Sequence, residues 1–472
     1  MTPADGRPGR DNNRTNPGNP GKRGGPSAGS ARRGSRPRGR NRRRPVDPAR
    51  RAAFDALRAV TAHDAYANLA GPALFTERQL STRDAAFATE LLNGTARLMG
   101  TYDRIIEAAG GRKLSTLQAA IIDILRLSAH QLLSMRVPSH AAVAASVDLA
   151  GAAVGEHATG LVYAITRRID AHDLAGWIEN LSEGLDATDA LALRTHHPRW
   201  IVDAYAEVLP AAEVEAALQA NNEPPITTLA VRPGLTTVAD LIDEGATAHP
   251  DLPTAATIAG SPRRLAAVRE GRAGVQDPGS QRVALRLADT GAPEGPWLDL
   301  CAGPGGKAAL LAGLAIEQGQ RLYAAELQPH RAVLVAQALR AYAGPHAPVV
   351  VAADGTRPAW RPNHFARVMA DVPCTGLGAL RRRPEARWRK SEQALDSLVD
   401  LQRRLLTTAI ESTTPGGVVA YVTCSPHRRE TSEVVNTVLA DRPDAERLGP
   451  DTQLWPHRDG TDAMFQALLR RR

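Results

Sequence analysis

Leu298-Asp-Leu-Cys-Ala-Gly-Pro-Gly-Gly-Lys307 is the stretch that decides the fold of this 472-residue chain. Apolar residues Trp297–Cys301 read as a strand that runs straight into a glycine-rich loop, and a helix begins near Gly306. From about Arg286 onward the pattern repeats. Candidate strands are Leu322–Leu327, Val349–Ala353, Arg367–Asp371 and Val418–Thr423, with helices starting near Pro329 and Leu395. Phe465–Leu469 would add a last, antiparallel strand. Alternating strands and helices imply a parallel sheet covered on both faces. Ligands of such sheets bind at the carboxyl ends of the strands, where glycines let them approach backbone N–H groups closely.

The loop constrains the ligand. It is not a Walker A motif, because Lys307 is followed by Ala308, and it lacks the Gly-x-Gly-x-x-Gly spacing of dinucleotide sites. The second strand ends in Glu326, an acid placed to accept both ribose hydroxyls of a nucleoside. The third ends in Ala352-Ala353-Asp354, an acid suited to the exocyclic amine of adenine. A glycine loop and two strand-end acids without a phosphate cradle point to S-adenosylmethionine rather than NAD or ATP.

All three cysteines of the chain lie in this part. Cys301 opens the glycine loop, Cys374 lies in Asp371-Val-Pro-Cys-Thr-Gly376, and Cys424 in Val422-Thr-Cys-Ser425. Buried cysteine is usually a small hydrophobe scattered through a core, so three at strand ends point instead to thiol chemistry beside the cofactor. Adjacent strands would bring Cys374 and Cys424 to one rim. Methylating carbon 5 of a pyrimidine needs such a nucleophile, since that carbon becomes enamine-like only after a thiolate adds at carbon 6. Spacings of 73 and 50 residues suit neither a disulfide framework nor a zinc site, so reduced thiols, no metal and a cytoplasmic setting are expected.

Upstream, helical periodicity dominates. Asp47-Pro48 opens a helix with Phe54, Leu57 and Val60 on one face. Further helices carry Phe87 to Tyr102, Leu117 to Met135, Ala141 to Ala153 and Thr159 to Ile169. Residues 46–175 therefore read as an all-α domain, 176–285 as a small α/β connector, and 286–472 as the catalytic domain. Residues 1–45 form a Gly/Pro/Arg tail. Its first 44 residues hold 13 Lys or Arg against Asp5 and Asp11, leaving 45 basic and 48 acidic residues for the rest. Such a tail has little to bury and reads as a disordered tether for phosphate backbones or as a solubiliser. No run reaches the roughly 18 apolar residues of a membrane span.

These motifs resemble those of the Sun/NSUN RNA cytosine-C5 methyltransferases: Asp299 to Lys307, Asp371 to Gly376 and Val422 to Ser425. The helical part is similar to the RNA-binding NusB fold, through Leu125 to Leu133, Val137 to Ala142 and Ala164 to Ile169. Their order, with Asn221-Asn-Glu-Pro-Pro225 and Val275-Gln-Asp277 between, is similar to that of family members acting on 16S ribosomal RNA. The resemblance implies a multidomain chain, NusB-like helical domain, connector and Rossmann-like catalytic domain. It implies that the backbone of Cys301, Ala302, Gly303, Pro304, Gly305, Gly306 and Lys307 holds the methionine end of S-adenosylmethionine. Glu326 would hold the ribose, Asp354 the adenine, and Asp371 would lie between cofactor and target base. Cys424 would be the nucleophile and Cys374 would assist release. Ribosomal RNA is the implied partner, and a monomer is expected. Gly303 and Val372 stand where the family usually has alanine, and Thr431 follows Glu430 where it more often has Asn. Two other readings compete: a tRNA or DNA cytosine methyltransferase, the latter attacking through its Pro-Cys thiol, and a non-catalytic RNA-binding assembly factor.

Overall fold

The computed structural model describes residues 46–472; the basic segment 1–45, with the tether reading attached to it, lies outside the described residues. The helical region contains α1 (Pro48–His63), α2 (Ala67–Glu77), α3 (Thr82–Gly110), α4 (Ala119–Leu133), α5 (Ser139–Ala153) and α6 (Glu156–Ile169). Asp47 caps α1 by accepting the Arg50 N–H at 2.8 Å, with Pro48 in the first turn. The apolar stripes pack Phe54, Leu57, Leu91, Tyr102, Ile105 and Ile124 into one core, each worth roughly 1.5–3 kcal/mol of burial. Within residues 48–169, helix α2 is the one that periodicity leaves unassigned. Gly71-Pro72 lies inside it, and that pair reads as a break because proline lacks the amide a helix interior uses.

Then follow α7 (Leu174–Ser182), α8 (Ala187–Arg194), α9 (Arg199–Ala206), α10 (Ala211–Ala220), β1 (Thr228–Val231), α11 (Val238–Asp243), β2 (Thr247–Ala248), β3 (Ala255–Thr257), α12 (Ala266–Glu270) and β4 (Ala273–Val275). The four strands form an antiparallel sheet in the order β2-β3-β1-β4.

The last part comprises α13 (Pro278–Ala288), β5 (Trp297–Asp299), α14 (Gly306–Glu317), β6 (Leu322–Glu326), α15 (Pro329–Leu339), β7 (Val349–Ala352), β8 (Phe365–Asp371), α16 (Ala386–Arg389), α17 (Leu395–Ser412), β9 (Thr413–Thr423), α18 (Ser432–Asp441), β10 (Ala445–Arg447), β11 (Thr452–Gln453), α19 (Pro456–Asp459) and β12 (Phe465–Arg471). The large sheet runs β10-β12-β9-β8-β5-β6-β7, with β11 beside β12. Strands β5 to β9 are parallel, and β12 joins β9 antiparallel. Side chains alternate between two cores: Trp297, Met369, Val418 and Val422 on one face, Leu298, Val368, Val419 and Tyr421 on the other. Strand order reverses between β5 and β8, which is where ligands bind in doubly wound sheets. The two strands that flank this point end in Asp299 and Asp371.

Residues 377–390, directly after the Cys374 loop, bind the other layers together. Tyr205 Oη donates to the Leu377 carbonyl at 2.9 Å. Arg387 Nη1 donates to Asn222 Oδ1 at 2.7 Å and Trp388 Nε1 to the Ala96 carbonyl at 3.0 Å. The indole lies where a side chain on Gly100 would be, since a Cβ there would sit 2.2 Å from it. In an open helix Gly→Ala stabilises by about 1 kcal/mol. Here Gly100→Ala is expected to lower stability by roughly 1–3 kcal/mol through overpacking. In a Trp388→Ala background the same change should turn neutral or stabilising, measured by urea unfolding as a double-mutant cycle. A cycle that shows simple additivity would mean that the indole does not rest on Gly100.

Candidate active site

Strand β5 delivers Asp299 and the glycine loop, and α14 starts at Gly306 with Gly305 in a left-handed conformation at φ 110°. Only glycine is at ease there, and a Cβ on Gly305 would also meet the Ala338 Cβ at 2.6 Å. Gly303 makes a tighter approach. Its N–H donates to Glu326 Oε2 at 3.0 Å, and a Cβ would lie 2.2 Å from that oxygen. An alanine here, as in the resembled motif, would have to displace the ends of the Glu326 and Arg331 side chains. Glu326 Oε1 accepts the Gln328 N–H at 3.0 Å and lies 3.5 Å from Arg331. A carboxylate accepts about four hydrogen bonds, so Glu326 keeps capacity for hydroxyls. Asp354 follows β7 one residue after Ala353, whose N–H donates to the Glu326 carbonyl at 3.1 Å, and its Oδ1 accepts from the Thr356 N–H and hydroxyl at 2.8 Å each. Those bonds hold its carboxyl below the usual range.

Lys307 Nζ pairs with Asp371 Oδ2 at 2.8 Å across the strand ends. Burial alone would lower the lysine, but Asp371 outweighs it and raises its pKa. Asp299 is buried; the Cys301 backbone and the Lys307 charge favour its ionised form, but neither of its oxygens makes a well-formed hydrogen bond among the described residues. Burial, reinforced by the charge of Asp371, pushes it up to about 7.

Because Asp371 of β8 pairs in register with Val422 of β9, the loops leaving these strands place Cys374 Sγ and Cys424 Sγ 3.4 Å apart, both thiols free. They titrate as a pair, joined by a hydrogen bond in which either sulfur can donate, and their shifts run in opposite directions. That bond lowers Cys424, with help from Lys307 and Arg383 and against burial and Asp371. It raises Cys374, to which burial, Glu430 and Asp371 add. Cys301 is also raised, by burial and then by Asp299. These directions make Cys424 the thiol of the pair that gives up its proton more readily.

The Cys374 loop is held from below. Glu430, with no exposure, accepts the Thr375 N–H at 2.8 Å, the Thr375 hydroxyl and Gln402 Nε2 at 3.0 Å. Glu430 entered the sequence reading only as a family feature, since a carboxylate in a loop carries no signal of burial. Thr431 occupies the adjacent site and donates to the His427 carbonyl at 3.0 Å. Val372 is buried in the β8 core.

A cleft of about 630 Å³ opens over the loop and is lined by Asp299, Ala302, Gly303, Pro304, Gly306, Lys307 and Asp371. Its far wall comes from elsewhere: Asn93 and Arg97 of α3, and Arg381 to Arg383. None of these was marked by the sequence motifs. Glu326 sits behind Gly303, and Asp354, Cys301, Cys374 and Cys424 are not among the residues that line the cleft. The residues fit S-adenosylmethionine. The Asp299 carboxylate, without a well-formed hydrogen bond, calls for a cationic donor such as the methionine amine, and the glycine backbone leaves room for a ligand.

A doubly wound sheet with this loop, these acids and a helical region beside it defines an S-adenosylmethionine-dependent methyltransferase with a NusB-like part. The model described as 16S rRNA methyltransferase RsmB/F matches residues 288–470, and the NusB family model matches residues 47–171. A Mycobacterium tuberculosis protein named only as a methyltransferase is 48% identical over 459 residues, covering 92% of this chain and 99% of that protein. The ribosomal RNA small subunit methyltransferase B of Sodalis glossinidius is 29% identical over 405 residues, 83% of this chain and 90% of that one. In fold, the crystal structure of PH0851 has a TM-score of 0.77 at 20% identity, covering 91% of this chain and all of that one. NSun6 from Pyrococcus horikoshii has 0.50 at 17% identity, over 58% of this chain and 98% of its own. The chain belongs to the RsmB/F family of rRNA methyltransferases. The fold class and the cofactor expected from the sequence are borne out.

The charge sorting has a direct readout. As pH rises, Cys424 should lose its proton below the ordinary thiol value of about 8.5, whereas Cys374 should keep its proton past that point. Iodoacetamide labelling of the folded protein, read by peptide mass spectrometry, should modify Cys424 first from pH 6 to 9. Faster labelling of Cys374 would reverse the assignment.

Proposed function

We propose that this chain methylates carbon 5 of a cytosine in small-subunit (16S) ribosomal RNA through a covalent bond between Cys424 and carbon 6. The observation that supports this reading most is the thiol pair with its charge biased toward Cys424. The target base leaves its stack to enter the cleft. Cys424 Sγ adds to carbon 6, and the electron pair of the 5,6 double bond moves to carbon 5. S-adenosylmethionine, when bound, supplies the methyl group. A base then takes the carbon 5 proton, the double bond re-forms and the carbon–sulfur bond breaks. Bonding to carbon 6 uses up the Cys424 charge that had raised Cys374, which frees Cys374 to assist that release. Asp371, held by Lys307, orients the cytosine through its amino group.

In this reading the backbone of Cys301 to Lys307 holds the methionine end of the cofactor, Glu326 the ribose and Asp354 the adenine. Residues 46–175 grip RNA, 176–285 connect, 286–472 catalyse, and the reaction belongs to the cytoplasm. Among the described residues no helix is long and apolar enough to cross a membrane.

Glu326→Ala or Asp354→Ala is expected to weaken S-adenosylmethionine binding by roughly 1.5–3 kcal/mol, the scale of a lost charged hydrogen bond. Unchanged calorimetric affinity in both would remove these roles. The thiols should fail differently. Cys424→Ala should abolish transfer of labelled methyl to ribosomal RNA and form no adduct. Cys374→Ala should accumulate a denaturation-resistant protein–RNA adduct. An adduct that appears with Cys424→Ala instead would make Cys374 the nucleophile.

A further inference from the structure

The far wall of the cleft holds a charge that the methyl-transfer machinery does not use. Five cations line the cleft: Arg97, Lys307, Arg381, Arg382 and Arg383. Lys307 is spent on Asp371. Arg381 and Arg382 are spent on Asp277 and Asp462, at 2.7 to 3.4 Å. Arg383 is exposed over the Tyr66 ring, 4.8 Å from its centroid. Arg97 differs from all of these. Only 8% of it is exposed, its Nε has no partner, and no carboxylate forms an ion pair with it among the described residues.

Its neighbours do not relieve it. Glu90 and Glu223 lie near enough to be felt, but neither forms an ion pair with it, and Glu90 is directed to His130, 3.5 Å from the imidazole. One turn before Arg97 on the same face of α3, Asn93 also lines the cleft, and its Oδ1 is likewise buried without a partner. Thr89, a further turn back, lines the same cleft and is exposed. Residues four apart share a helix face, so α3 presents a stripe that deepens from open surface to a buried guanidinium. A buried, unpaired cation is costly to the free protein. It is well matched to a planar fork of acceptors on a polyanion, the geometry that arginine recognises in phosphate.

We infer that Arg97 binds a phosphodiester of the RNA strand beside the target cytosine, so that α3 of the helical region forms one wall of the catalytic cleft. The inference rests on the proposed RNA substrate. It makes Arg97 a positioning residue: it fixes the register of the strand while Lys307, Asp371 and the thiols address the base.

The test uses full-length protein, transcribed small-subunit ribosomal RNA and labelled S-adenosylmethionine, with Arg97→Met and Arg97→Lys. Arg97→Met should raise the KM for RNA about 10- to 100-fold, the scale of a lost charged hydrogen bond. It should lower the slope of log affinity against log salt by about one, and leave cofactor affinity unchanged. Its Tm should stay level or rise, because an unpaired buried charge has gone. Arg97→Lys should keep the salt slope with an intermediate KM. Unchanged KM and salt slope in Arg97→Met would overturn the inference. So would a fall in Tm in both variants with RNA affinity of the folded protein preserved, which would make Arg97 a scaffold. RNA affinity from filter binding decides the matter separately from turnover: a wild-type chain that binds the RNA without methylating it would sink the proposed reaction and leave Arg97 to be judged on affinity.

Discussion

Glu430 is a carboxylate with no exposure and no cationic partner among its contacts; two donors from Thr375 and one from Gln402 take its place in solution. A buried charge on these terms is tolerable only while every donor stays in place. The loop from Pro373 to Gly376 therefore has one position, and Gln402 fixes it further by donating to the Pro373 carbonyl at 2.8 Å. Glu430 itself is tied to β9 through Tyr421, whose hydroxyl donates to its carbonyl at 2.8 Å. The two thiols inherit their separation of 3.4 Å from this chain of bonds. Proximity alone would not distinguish them. The cations Lys307 and Arg383 act on Cys424, and Glu430 acts on Cys374, so the carboxylate that sets the geometry also helps to set the charge.

The sheet supplies the second constraint. Because strand order reverses between β5 and β8, their carboxyl ends diverge into loops on opposite sides, and a cleft must form there. One side gives the glycine loop and Lys307, the other gives Asp371 and the Cys374 loop. Their ion pair at 2.8 Å bridges the two. With Lys307 claimed by Asp371, the buried Asp299 below is left without a well-formed hydrogen bond, and this leaves the cleft floor poised to receive a cation.

Much of this was legible in the sequence, for a definite reason. Strand ends and glycine loops are local features, so Asp299 to Lys307, Glu326, Asp371, Cys374 and Cys424 could be placed on the rim from periodicity and punctuation alone. The apposition of the thiols followed from the strands being neighbours. Two kinds of feature were hidden. Helix α2 was masked by Gly71-Pro72, whose local preference is overridden by packing of Ala67 and Phe75 into the helical core. Glu430, Arg97 and Arg387 were invisible because a charged residue reads as surface, and only tertiary structure turns it into a buried anchor. Asp354 shows the opposite limit. An acid at a strand end suits a ligand, yet its Oδ1 also serves the turn at Thr356, and sequence cannot separate the two uses.

The hidden residues are the ones that join layers. Motifs lie within one element and report its chemistry, while the segment 377–390 spans three packing environments. Leu377 and Leu380 enter the core built by α9 and α10, Arg387 donates to Asn222 of the connector, and Trp388 rests on Gly100 of α3. That segment begins one residue after the Cys374 loop ends. Through Trp388 and Arg387 the segment thus packs α3, the connector and the Cys374 loop against one another at native density. The helical region is consequently part of the framework of the cleft: Thr89, Asn93 and Arg97 of α3 line it together with the glycine loop, some two hundred residues away in sequence.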